Sequence, residues 1–116
     1  MIVFELPIQT KCSLNSRMHW AQRAKLVKAE RSAARLIALA NVAAGRVPAS
    51  VKLTRKHCGR PLDDDNLRGY LKGCRDGLAD VFGVDDGDAR IQWSYAQLKV
   101  KTRREFGVVV EIRYCD

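Results

Sequence analysis

The chain has 116 residues, 47% of them apolar and 29% charged, with 21 Lys and Arg against 13 Asp and Glu for a net charge of +8. That length suits one domain with a single core, and the composition excludes a disordered or fibrous chain. No run approaches ~18 consecutive apolar residues, which excludes a spanning helix. The positive balance points to a nucleic acid rather than a membrane surface, since no basic and apolar anchor is concentrated in one place.

Residues 2–9 read as a strand that Pro7 places at an edge or an end. Residues 10–18 are turn formers and read as a loop. From about His19 to Ala44 runs a helical pattern rich in Ala, Leu, Arg and Lys. At 100° per residue, Leu26, Ala29, Ala33, Leu36, Ile37 and Ala40 share a face expected to pack on a sheet. Lys25, Lys28, Arg31, Ser32 and Arg35 share the other face, which suits either solvent or a row of phosphates. Gly45 and Pro48 stop this helix. Residues 49–57 alternate as a strand around Val51–Thr54. A loop through His57, Cys58, Arg60 and Pro61 leads to a second helix, Asp64 to Phe82. Its apolar arc is Leu67, Tyr70, Leu71, Cys74, Leu78, Val81 and Phe82, and Gly83 ends it. Residues 89–101 and 105–114 are two further strands, and the short polar link Thr102–Arg104 predicts a hairpin between them. The order β-α-β-α-β-β predicts one α+β domain over residues 1–116: a four-stranded mixed sheet with two helices on one face.

The N-terminus lacks the basic and apolar regions of a signal peptide, which predicts a cytoplasmic protein. The four cysteines, Cys12, Cys58, Cys74 and Cys115, are widely spaced and expected to be reduced. His57 and Cys58 have no partner pair at zinc-ligand spacing.

Eight of the 13 acids lie within residues 63–88: Asp63, Asp64, Asp65, Asp76, Asp80, Asp85, Asp86 and Asp88. Carboxylates packed that closely repel unless a cation joins them. In a basic protein, such a cluster suits divalent ions held against the phosphates of a polyanion. In an extended segment Asp63 and Asp65 point to one side, leaving Asp64 to point away or cap the helix. Asp85 and Asp86 follow the far end of that helix, about 27 Å away if it is straight, so the loop after Gly83 must fold back or the site must be shared across a dimer. Asp65, Lys72 and Asp76 fall in one helical stripe opposite the apolar arc, where Lys72 would meet a scissile phosphate. The plainer roles are a helix cap, an Asp/Gly turn at Asp85–Asp88, and a solvated Lys72–Asp76 pair.

Asp63-Asp64-Asp65-Asn66-Leu67, then Lys72-Gly73-Cys74-Arg75-Asp76-Gly77-Leu78, then Val84-Asp85-Asp86 resembles the D-x-D-N-L, K-x-x-x-D-x-L and D-D signatures of the RusA family of Holliday-junction resolvases. The family's basic Ser/Asn loop after the first strand corresponds to Ser13-Leu14-Asn15-Ser16-Arg17. The resemblance implies a Mg²⁺- or Mn²⁺-dependent homodimer that nicks two strands of a four-way DNA junction. It places the catalytic, metal-holding acids on Asp63, Asp65 and Asp86, with Lys72 as the associated lysine. Asn15, Arg17, Lys28, Arg31, Arg35 and Arg60 are the candidate DNA contacts. The expectation is therefore a metal-dependent endonuclease acting on branched DNA in recombination and repair. The alternative is a non-catalytic DNA-binding protein that keeps the fold.

Overall fold

A computed structural model describes residues 1–8 and 20–115. The element order is β1 (Ile2–Leu6), α1 (Trp20–Leu39), β2 (Ser50–His57), α2 (Asp64–Phe82), β3 (Gln92–Lys99), a 3-10 turn (Arg103–Glu105) and β4 (Gly107–Arg113). The strands form one sheet in the order β1-β4-β2-β3. β4 is antiparallel to both β1 and β2, and β3 is parallel to β2, so this is the expected mixed α+β sheet. Asn15, Arg17 and Cys12 lie outside the described residues. No helix among the described residues is long and apolar enough to cross a membrane.

The expected hairpin between the last two strands does not form, because β2 lies between them. The reason is burial. Val108, Val110 and Ile112 of β4 are fully buried, as are Val51 and Leu53 of β2, so both strands belong in the sheet interior. Gln92, Ser94 and Leu98 of β3 are exposed, the composition of an edge strand. Residues 100–106 step across the end of β2, about 10 Å or two strand spacings. The step begins with Val100 N–H donating to His57 O at 2.8 Å.

The two helices cover one face, where Phe4, Leu6, Val51, Leu53, Val108, Val110 and Ile112 join Leu67, Leu71, Cys74, Leu78 and Phe82 in a single core. Helix α2 has the bounds its caps and turn signals predict. Gly83 adopts φ 75°, and its N–H reaches back to Ala79 and Asp80 carbonyls, an end that favours glycine.

Helix α1 differs from expectation in length and in facing. It ends at Leu39 rather than Ala44. The Asn41 side chain donates to Ile37 O at 2.8 Å, and Val42 turns back into the core. Its buried row is Glu30, Ala34 and Ala38, whereas Leu36 is 70% exposed and Ala29 and Ala40 are also exposed. The face is rotated by about one residue, or 100°. Glycines of α2 cause this. A Cβ on Gly77 would lie 2.5 Å from Arg31 O and 2.9 Å from Ala34 Cβ, and one on Gly73 would lie 2.9 Å from Glu30 Cβ. Glycine inside a helix costs about 1 kcal/mol relative to alanine. Here it lets the two backbones approach, and that approach admits only small side chains or the stem of Glu30 at the crossing.

Candidate nucleic-acid interface and acidic cavity

The crossing of α1 over α2 leaves a groove of about 660 Å³ along one side. One face of α1 supplies Trp20, Arg23, Lys28, Arg31 and Arg35 at helical spacing, and Lys72 of α2 stands on the other wall. Ala24 and Val27 add apolar surface to its lining. Among its described lining residues Asp80 is the one acid.

Beside the groove, toward the C-terminal end of α2, lies a smaller cavity of about 230 Å³ lined by Asp76, Asp80, Asp85, Asp86 and Arg31. Ion pairs form the wall between the two. Arg31 Nε and Nη2 donate to Asp80 Oδ2 and Oδ1, both at 2.7 Å. These bonds hold the Asp80 carboxyl below its ordinary range and raise the guanidinium pKa further, so both groups stay charged at neutral pH. Lys72 Nζ lies 3.5 Å from Asp76 Oδ2, and Asp76 is the buried member of that pair with 11% of its side chain exposed.

The loop after Gly83 does fold back, and Arg75 holds it. The Arg75 guanidinium donates to the Asp86 backbone carbonyl through Nε and Nη2, and to Tyr95 Oη through Nη1 at 2.7 Å. It also stacks 4.7 Å from the Trp93 ring centroid and sits 3.7 Å from Asp86 Oδ2. Asp88 at the same loop takes three hydrogen bonds from Arg90, which pull its pKa down to about 2. It is a turn acid, as expected.

The fold-back reaches Asp76 but not the start of the helix. Asp76 is eleven positions from Asp65, about 16 Å along the axis. Within one chain, Asp63, Asp65 and Asp86 therefore do not assemble into one set of ligands. Among the described residues no group of three or more Asp, Glu, His or Cys converges to hold a metal. Asp63 has a different job. It is extended, and its Oδ1 accepts the Asn66 N–H at 2.9 Å, so Asp63 rather than Asp64 is the N-cap of α2. Asp64 and Asp65 lie in the first turn, where acids complement the helix dipole. The expected stripe opposite the apolar arc is also revised, since Asp76 is buried toward the α1 side and Lys72 faces the groove.

Lys28, Arg31 and Arg35 line the groove as a continuous row, whereas Arg60 is exposed in the loop before α2 and lines neither depression. The sequence reading missed Trp20 and Arg23, Asp80 as the partner of Arg31, and Arg75 as the clamp on the loop. Trp20, Arg23, Val27 and Arg31 at helical spacing were a readable signal. The glycine row Gly69, Gly73 and Gly77, recurring every four residues, was another.

A divalent ion such as Mg²⁺ needs one or two carboxylates, with waters and substrate phosphates completing an octahedron. The acidic cavity fits that need in kind. Its carboxylates are all hard oxygen donors, but Asp80 is bonded to Arg31, Asp76 lies 3.5 Å from Lys72 Nζ and Asp86 3.7 Å from Arg75 Nε. No three of them converge on one point, so an ion there would take one or two of Asp76, Asp85 and Asp86 and complete its shell with water and phosphate. Within one chain the expected trio fits no single ion.

No family model matches the chain, and no solved structure matches it. An uncharacterized protein of Xylella fastidiosa (strain Temecula1) is 36% identical over 81 residues, covering 64% of this chain and 52% of that protein. The chain spans about half the length of the relative it matches.

Proposed function

We propose that this protein is a metal-dependent endodeoxyribonuclease acting on branched DNA, four-way junctions among them, as a homodimer. The observation that carries the reading is the shared wall: a cation-lined groove opens directly beside a carboxylate cavity, with Arg31 and Asp80 common to both. Lys28, Arg35 and Lys72 would hold backbone phosphates in the groove. One or two of Asp76, Asp85 and Asp86, together with a substrate phosphate, would hold Mg²⁺ or Mn²⁺. The ion, when bound, supplies an activated water and positive charge beside the leaving oxygen. Arg75 fixes the Asp86 backbone, so the acid is presented from a braced loop. Lys72 stands at the boundary, paired with Asp76, where it would stabilise charge developing on a phosphate.

The test is a synthetic four-way junction and a matched linear duplex, each incubated with and without Mg²⁺. The expected result is nicking of the junction that requires the metal. Equal binding with and without Mg²⁺ and no nicks would favour a DNA-binding protein that keeps the fold.

A further inference from the structure

The groove has a composition that an intact duplex would not use. A duplex presents phosphates on a wide, stiff rod and keeps its bases stacked inside. Its backbone is met by exposed cations and needs no apolar floor. Here Ala24 and Val27 add apolar surface to the lining, and Trp20 stands at one end with 70% of its surface exposed. From Trp20 to Arg35 the groove follows α1 for about 22 Å, room for a short run of nucleotides. Aromatic surface flanked by cations is the chemistry that holds unpaired strands, since every base has a π-face and every phosphate a charge.

We propose that the groove between α1 and α2 receives a single DNA strand, with an unpaired base stacked on Trp20 and its phosphates running along Lys28, Arg35 and Lys72. The inference rests on the nuclease reading for what the strand then meets, namely the acidic cavity beyond Arg31 and Asp80. It names the substrate at that site as unpaired strand, such as that at a branch point or flap. The groove binds this strand without metal, because its contacts are cations and an aromatic ring.

Binding of a labelled oligothymidylate and of a blunt duplex of equal length, measured by fluorescence anisotropy without Mg²⁺, tests this directly. Trp20→Ala should weaken single-strand binding by roughly fivefold to a hundredfold, the range for one lost base stack, and leave duplex binding within twofold. Trp20→Phe should restore most of the loss. In a Trp93→Phe protein, the remaining Trp20 emission should be quenched as oligothymidylate saturates. Single-strand affinity unchanged by Trp20→Ala would overturn the inference, as would equal quenching by the duplex. If junctions are bound and nicked while oligothymidylate is not bound, the single-strand inference falls and the nuclease reading stands. If no DNA of any form is bound, both fall.

Discussion

Arg31 on α1 and Asp80 on α2 meet in a two-point contact, each hydrogen bond 2.7 Å long, at the seam where the cationic groove touches the acidic cavity. The pair ties the helices together and neutralises one cavity acid. Its Asp80 carboxyl is held below the ordinary value, so its contribution is fully present above that ordinary value, about 3.9. It is lost as pH falls through the lowered folded value. Both side chains are partly exposed, at 49% and 31%, so the contribution is small. Asp80→Asn should cost about 0.5–1 kcal/mol at pH 7. Urea titrations at a series of pH values check it: the gap between wild type and variant should close below about pH 4. A gap that stays constant into acid would show the pair contributes nothing through charge.

The glycine crossing predicts a larger effect. Gly77→Ala puts a Cβ 2.5 Å from the Arg31 carbonyl oxygen, so α1 must move away. The expected loss is about 1–3 kcal/mol, the scale of overpacking a close contact. Gly87 is the control, because a Cβ there meets nothing within 4 Å. Gly87→Ala should stay within about 0.5 kcal/mol of wild type. Equal thermal shifts for the two variants would mean that the crossing is not tightly packed.

The groove cations make DNA affinity steeply salt-dependent if they meet phosphates. Lys28→Ala/Arg35→Ala leaves the Arg31–Asp80 pair intact. Losing two phosphate contacts should reduce the slope of log K against log[salt] by about 2. A slope identical to wild type would show that these residues are only solvated.

Lys72 separates a catalytic from a local role. Lys72→Ala should slow single-turnover nicking by ~10²-fold or more, the loss of one well-placed electrostatic donor, a larger effect than the loss of junction affinity expected for one phosphate contact. A rate within threefold of wild type would leave Lys72 as nothing more than the partner of Asp76.

How far the sequence carried the structure differs from element to element. Helix α2 was legible because its start and stop are local: Asp63 caps it, and Gly83 takes the left-handed turn. The four strands were legible from alternation, but their order was not. That β4 rather than β3 lies between β1 and β2 depends on which strand is paired on both edges, a property of the whole sheet. The facing of α1 was misread because the periodicity of large apolar residues assumes a helix packed at ordinary distance. Gly73 and Gly77 bring this one closer and select Glu30 and Ala34 instead. The acid-rich stretch was legible as a composition, and its grouping was not. Asp86 joins Asp76 because Arg75, braced by Trp93 and Tyr95 of β3, holds the loop at that level. No local pattern announces that tertiary contact.

The central question is whether the acidic cavity cuts DNA. Its most direct test is single-turnover nicking of a labelled four-way junction in Mg²⁺ by wild type, Asp86→Asn and Asp63→Asn, with binding measured in parallel. Asp63→Asn keeps a good helix cap. It should nick at close to the wild-type rate, whereas Asp86→Asn should bind the junction as well or better and nick ~10²-fold or more slowly. Full activity in Asp86→Asn, or loss of nicking in Asp63→Asn with its fold intact, would contradict the assignment of the chemistry to the cavity formed by Asp76, Asp85 and Asp86.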